Sequence, residues 1–278
     1  MKFIRKVLNI FWTFHKAVVQ KNLKYQNIHK GQTCLIFGNG GSLKYYDLSA
    51  IEKKNLSIGC TYSLADKRMS GLEMNYCVIP SAYFFYYFRI HSLSKKFVIN
   101  LIGKIAKKII SKNTNTRFFV SLTNYYSLFF RSNNLSYFHH FEDKTSGSYD
   151  LAGNFSNVSS ALVMMISLAK FMGFAKVILL GCDYLGSPAL GGHFYSDSIP
   201  SYGADQPQYV ARIKKVVGEL DLDVVVILKK GNSCPVFESV TFEEYFGAPE
   251  YYQSNTEIID EEYLIMMRKA CQLNQIYM

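Results

Sequence analysis

The chain has 278 residues, of which 49% are hydrophobic, 15% aromatic and only 19% charged. That balance excludes intrinsic disorder, collagen and coiled coil, and no uncharged apolar run reaches the roughly 18 residues of a membrane span. The formal net charge of +10 is unevenly spread. Residues 1–30 carry seven basic residues and no acid, residues 74–141 again hold no Asp or Glu, and the acids gather between Glu238 and Glu262. Such polarity predicts an anionic partner on one side.

From Met1 to about Gln26, apolar residues such as Phe3, Val7, Phe11, Phe14 and Val18 recur at near-helical spacing among lysines. The pattern fits a basic amphipathic helix, lying either in an anionic bilayer interface or against the protein's own core. Lys95–Ile110 repeats it, and two such helices favour docking to a membrane surface. Strands are predicted at Thr33–Phe37, Leu56–Cys60, Tyr76–Ile79, Phe118–Leu122 and Lys176–Leu180, with Asp223–Leu228 as the final strand. Helices are predicted at Ser156–Met172, stopping before Gly173, and at Gln206–Leu220. This alternation implies an α/β fold: a Rossmann-like, mainly parallel sheet flanked by helices, a GT-A-like single nucleotide-binding domain. The expected organisation is an N-terminal helix over residues 1–30, a catalytic domain over 31–246 with a lid at 186–207, and an acidic helical tail over 247–278.

The six cysteines form no C-x-x-C pair, and several sit in apolar runs. They are read as reduced core residues of a cytoplasmic protein, peripheral on the inner face of the cytoplasmic membrane. The first apolar stretch is broken by Asn9, His15 and Lys16 and has no small-residue cleavage site, which argues against a secretory signal.

Three segments carry candidate chemistry. Gly38-Asn39-Gly40-Gly41-Ser42-Leu43 follows the first strand, where glycines permit close approach to a ligand and successive amides attract phosphate. No Lys-Ser/Thr makes it a Walker A loop, and no ribose-binding acid ends the second strand, so a nucleotide or sugar-nucleotide phosphate is expected rather than NAD. Gly181-Cys182-Asp183-Tyr184 places an aspartate at a strand mouth, where it can orient a hydroxyl, act as base or cap a turn. Gly191-Gly192-His193-Phe194-Tyr195 offers His193 as proton acceptor and Tyr195 as a phosphate ligand within the long stretch expected to form a lid.

Taken together, the strand followed by GNGGSL, the segment SSALVMMISLAKFMGFAKVILLGCDY, the following HFY and the late ILKKGNSCPVF resemble two related groups. One is the Campylobacter-type bacterial sialyltransferase family; the other is the MptE-like domain of unknown-function-115 type, with motility-associated factor glycosyltransferases and hydroxymethylpterin pyrophosphokinases. The likeness spans about Gly31 to Phe246. It implies a CMP-sugar site, with Asn39 and Ser42 of the glycine loop (Gly38, Gly40, Gly41) at the nucleotide. It also implies Asp183 beside the sugar, Tyr184 and Tyr195 at the departing phosphate, and Asn232 and Ser233 near base or ribose. Gly41 stands where the family has proline, and the family's catalytic histidine lies farther beyond the aspartate, so His193 rests on its own chemistry.

The expected activity is a metal-independent, inverting glycosyltransferase that needs no cofactor. It would move a nonulosonic or sialic-acid type sugar from a CMP-activated donor to a glycan or lipid-linked acceptor. A pyrophosphokinase using ATP and Mg²⁺ through Asp183 and Asp47 is the alternative. A nucleic-acid partner, suggested by Tyr83–Phe88 with Arg89, is weighed and not expected, because aromatics are more often core. The oligomeric state is not legible.

Overall fold

The computed structural model describes residues 13–81, 85, 93–128, 133–140 and 148–276, except the side chains of 93–100, 271 and 273–276. The described residues form ten strands: β1 (Thr33–Phe37), β2 (Leu56–Cys60), β3 (Tyr76–Ile79), β4 (Arg117–Ser121), β5 (Leu135–Phe138), β6 (Lys176–Leu180), β7 (Ala189–Leu190), β8 (Tyr202–Gly203), β9 (Asp223–Ile227) and β10 (Glu238–Val240). Eight of them form one sheet in the order β10-β9-β6-β1-β2-β3-β4-β5. Every neighbouring pair is parallel.

Side chains of each strand alternate between two cores. Leu35, Phe37, Ile178, Leu180, Val225 and Ile227 face one. Cys34, Ile36, Val177, Leu179, Val224 and Val226 face the other. Burial on both faces is why these strands read as continuous apolar runs, and why a parallel sheet must be covered twice. Helices α1 (Leu93–Lys112) and α4 (Glu261–Ile276) belong to the first side, and α2 (Ala161–Phe171) and α3 (Pro207–Leu220) to the second. The fold is a Rossmann-like three-layer α/β sandwich.

Four expectations change. Asp223–Ile227 is not the last strand, because β10 pairs beside it with Glu238 opposite Val225. β5 was not foreseen: Leu135–Phe138 is a four-residue sheet edge with no clear alternation, too short for a periodicity signal. Helix α2 begins at Ala161 rather than Ser156, because Ser160 is its N-cap, its hydroxyl accepting from the Val163 amide. The lid stretch carries the antiparallel β7–β8 hairpin.

Part of the basic charge meets the late acids within the chain. The basic helix α1 packs on α4, whose first turn is acidic: Lys108 pairs with Glu262, and the Lys112 Nζ stands 5.1 Å from the Tyr263 ring centre. Tyr263, Leu264 and Met267 enter the core on this side, so this part of the C-terminal segment packs on the sheet domain. Residues 13–20 are helical, with His15 and Val19 turned inward and Phe14 outward; residues 1–12 lie outside the described set. Of the Tyr83–Phe88 stretch only Phe85 is described, and it is buried. Cys34, Cys60, Cys77 and Cys182 are buried free thiols, and Cys234 is half-buried and also free. Among the described residues no helix is long and apolar enough to cross a membrane.

Candidate functional site

From β1 the sheet runs to β5 on one side, while β6 is added on the other, so the strand order reverses between β1 and β6. In open α/β sheets the crevice at the carboxyl ends of such a strand pair is where ligands bind. Here that crevice lies between the glycine loop after β1 and Gly181-Cys182-Asp183 after β6.

The two loops adhere closely. The β1–β6 register, with Phe37 opposite Leu180, continues past the strands through Gly38 N–H to Leu180 O and Gly40 N–H to Gly181 O, each 2.8 Å. A Cβ on Gly38 would stand 2.2 Å from the Gly181 oxygen, and one on Gly40 would stand 2.4 Å from Asp183 Oδ2. Glycine is required at both positions by this approach. The Asp183 carboxylate then accepts the Ser42 N–H at 2.8 Å, the Ser42 hydroxyl and the Gly41 N–H. Asp183 is 4% exposed. Burial pushes its carboxyl up to about 6 even against those three donors.

This differs from the phosphate cradle expected of the glycine loop. The amides of Gly38, Gly40, Gly41 and Ser42 are occupied by the β6 loop, so the glycines serve to bring two strand ends together. Asp183 is the tie between the loops, with both oxygens engaged.

A cavity of about 170 Å³ opens beside this junction. Asn39, His193, Tyr184 and Tyr209 line it, with Cys60, Cys182 and Met165 as an apolar floor and Ser160-Ala161-Leu162 as one wall. That wall is the first turn of α2, whose leading N–H groups have no intrahelical acceptors and carry the positive end of the helix dipole. Burial pushes the Cys60 thiol up to about 12 and raises Cys182 too, so both stay protonated and inert at neutral pH. Burial likewise raises Tyr209, whose hydroxyl is bonded with Ser160.

His193 comes to the cavity because the lid is laid against the glycine loop, with the Phe194 N–H donating to Asn39 O at 3.1 Å. Its Nδ1 is 3.2 Å from that same carbonyl oxygen. A carbonyl only accepts, so Nδ1 carries the proton and Nε2 keeps its lone pair. Burial lowers the imidazole below its usual 6.5, against the bond to Asn39, which raises it. The ring is therefore neutral at physiological pH. Behind it Tyr195 stacks at 4.9 Å and 19°, outside the cavity wall. The Asn39 Oδ1 is buried with no partner.

The lid is fastened at several points. Lys44, fully buried, donates through Nζ to Ser196 O at 2.6 Å and Ser198 O at 3.0 Å. Asp197 receives Arg268 from α4 and the Asn255 amide. Asn232 and Ser233 lie at the lid's root: the Asn232 amide donates to Pro188 O at 2.8 Å, and Ser233 bridges Ser187. Neither reaches the cavity wall. Among the described residues no three His, Cys, Asp or Glu side chains gather to hold a metal, and Asp47 caps the turn Leu48–Ala50 through Ser49.

No family model matches this chain and no curated protein matches its sequence. Solved structures do resemble it. One is the monofunctional α-2,3-sialyltransferase Cst-I of Campylobacter jejuni, at 14% identity over 88% of this chain and 96% of that one, with a TM-score of 0.45. A second is an α-2,3-sialyltransferase of the same organism in apo form, at 14% identity over 90% and 98%, TM-score 0.45. A third is its sialyltransferase CstII in complex with cytidine-5'-monophosphate, at 14% identity over 86% and 99%, TM-score 0.40. Likeness at this level assigns no activity to the present chain.

Several residues of the crevice carried no readable signal. Lys44 is one lysine among 31 basic residues, and only the folded lid shows what it holds. Tyr209 lies one turn into α3 with nothing in the pattern to distinguish it. Ser160 carried a signal, a serine directly before the apolar run of α2, although the helix was expected to start at Ser156.

Proposed function

We propose that the chain is a glycosyltransferase that draws on a CMP-activated sugar of the nonulosonic type. The observation that carries this reading is His193: a neutral imidazole, oriented by a backbone carbonyl, in a cleft at the strand-order reversal. The donor's phosphate lies against the first turn of α2, whose free N–H groups favour an anion. The cavity takes the phosphate and one ring of the donor, and the rest extends past Tyr184 towards solvent. His193 Nε2 accepts the proton of the acceptor hydroxyl as its oxygen attacks the anomeric carbon. The bond from that carbon to the phosphate oxygen breaks, its electron pair leaves with CMP, and the configuration inverts. Tyr184, at the mouth, is placed to donate a hydrogen bond to the departing phosphate. Tyr195 keeps the imidazole plane in place.

The nucleotide and the sugar class come from the motif resemblance, supported by a crevice of suitable position and polarity. A pyrophosphokinase needs carboxylates grouped around Mg²⁺, whereas Asp183 is committed to Ser42 and Asp47 to Ser49, which favours the transferase. Exposed Phe14 and Leu23 beside Lys16, Lys21 and Lys24 support docking on an anionic bilayer; sedimentation with phosphatidylglycerol vesicles tests that part.

The test of the enzyme is CMP release from a CMP-sugar, preceded by a thermal-shift comparison of CMP, UDP, GDP and ATP. Stabilisation by CMP, with turnover lost in His193→Ala at unchanged melting temperature, is expected. Stabilisation by another nucleotide alone overturns the donor assignment.

A further inference from the structure

Beside the crevice, three separate segments bring tyrosines to one surface and a fourth brings a lysine. Tyr45 ends the turn that follows the glycine loop, Tyr202 is in β8, Lys229 lies just past β9, and Tyr251 and Tyr252 follow the short helix Phe242–Phe246. The Tyr45 and Tyr252 rings are 5.5 Å apart and tilted by 58°. Lys229 Nζ stands 4.2 Å from the centre of Tyr45 and 5.9 Å from that of Tyr202. The late segment is fixed by backbone bonds, Tyr251 N–H to Tyr45 O at 3.0 Å and Gln253 N–H to Lys44 O at 2.7 Å.

This construction leaves Tyr202, Tyr251 and Tyr252 between 42% and 49% exposed. Concentrated, fixed aromatic surface of this kind marks a binding face. Glu250, adjoining it, has Oε1 enclosed without a donor. The face also continues the candidate site: Tyr202 is directly opposite Leu190 in the β7–β8 hairpin, so the two side chains share a side about 5 Å apart, and Leu190 lines the cavity.

We propose that this tyrosine platform binds the sugar chain that accepts the transferred residue, one pyranose ring lying on Tyr202 and another on Tyr252, with hydroxyls bonded to Lys229. Its role as acceptor subsite rests on the transferase reading above; its binding of sugar does not. The C–H face of a pyranose packs on one aromatic ring at a time, which tilted tyrosines allow, whereas a nucleobase needs a flat slot. The mixed charge of Lys229 and Glu250 suits neutral hydroxyls, each able to donate and accept, better than a polyanionic strand.

The test is binding of the labelled full chain to an array of neutral and acidic oligosaccharides, with the strongest one then titrated by calorimetry. Tyr202→Ala and Tyr252→Ala, made separately, are each expected to weaken that sugar at least tenfold at unchanged melting temperature. Tyr126→Ala, an exposed tyrosine beyond β4, is expected to change nothing. CMP titrated into the wild type separates the two proposals, since sugar binding without CMP binding refutes the transferase alone. The platform is overturned if no oligosaccharide binds, if both tyrosine variants bind it as the wild type does, or if the variants lose affinity for a single-stranded oligonucleotide instead.

Discussion

Asp183→Asn isolates the tie between the two loops. The Asp183 carboxyl titrates at about 6 in the fold, against 3.8 for the ordinary group. A folded state that holds its proton more tightly gains stability on protonation, so the gain is complete below about pH 3.8 and is lost as pH rises through about 6. The difference of 2.2 between those values corresponds to about 3 kcal/mol, at 1.36 kcal/mol each, and the group is buried too deeply for solvent to screen it. Asparagine cannot titrate; its Oδ1 takes the N–H side and its NH₂ faces the Ser42 hydroxyl, which can accept. Urea unfolding of wild type and variant at intervals from pH 3.5 to 7.5 supplies the comparison. Across that interval the wild type is expected to lose about 3 kcal/mol more than Asp183→Asn. Parallel pH profiles for the two proteins would refute the burial and the role assigned to Asp183.

Gly40→Ala is expected to cost about 2–4 kcal/mol because its Cβ would stand 2.4 Å from Asp183 Oδ2. Gly218→Ala, in α3 with nothing within 4 Å, is expected to stabilise by about 0.5–1 kcal/mol in the same chemical melts. Lys44→Met leaves the Ser196 and Ser198 carbonyls without their donor, a cost of about 1–3 kcal/mol. Hydrogen exchange is expected to accelerate at residues 194–199 and not in β1 or β6; unchanged protection there contradicts the clamp. Because burial holds His193 below 6.5, kcat/KM for CMP release is expected to stay level from neutral pH down past 6.5 and then fall as the imidazole protonates. His193→Ala is expected to lose about 10²–10⁴ in rate, and a wild-type rate that already falls between pH 8 and 7 would contradict the assignment.

The sheet was legible because both of its faces are buried: strands such as Lys176–Leu180 and Thr33–Phe37 are runs of apolar residues bounded by glycine, and their limits in the fold match the pattern. Edge elements were not. β5 and β10 have four and three residues, and their pairing depends on neighbours far along the chain. The candidate site was half legible. That the glycine loop and Asp183 would meet follows from strand-end positions in a parallel fold, whereas His193 joins them only through the bonds of its segment to Asn39. What each does there depends on hydrogen bonds across 140 or more residues, such as Ser42 to Asp183 and His193 to Asn39, which no local spacing encodes. The pairing of Lys108 with Glu262 across α1 and α4 was not legible for the same reason.

The claim on which the enzyme rests is that the crevice between Asn39, His193 and the first turn of α2 holds the nucleotide. Titration of CMP into ¹⁵N-labelled protein, followed amide by amide, tests it most directly. Saturable shifts at Asn39, Ala161, Leu162 and His193, with β5 and α4 unmoved, are the expected result. Saturable shifts confined to any other part of the sheet, or none at millimolar CMP, would contradict it.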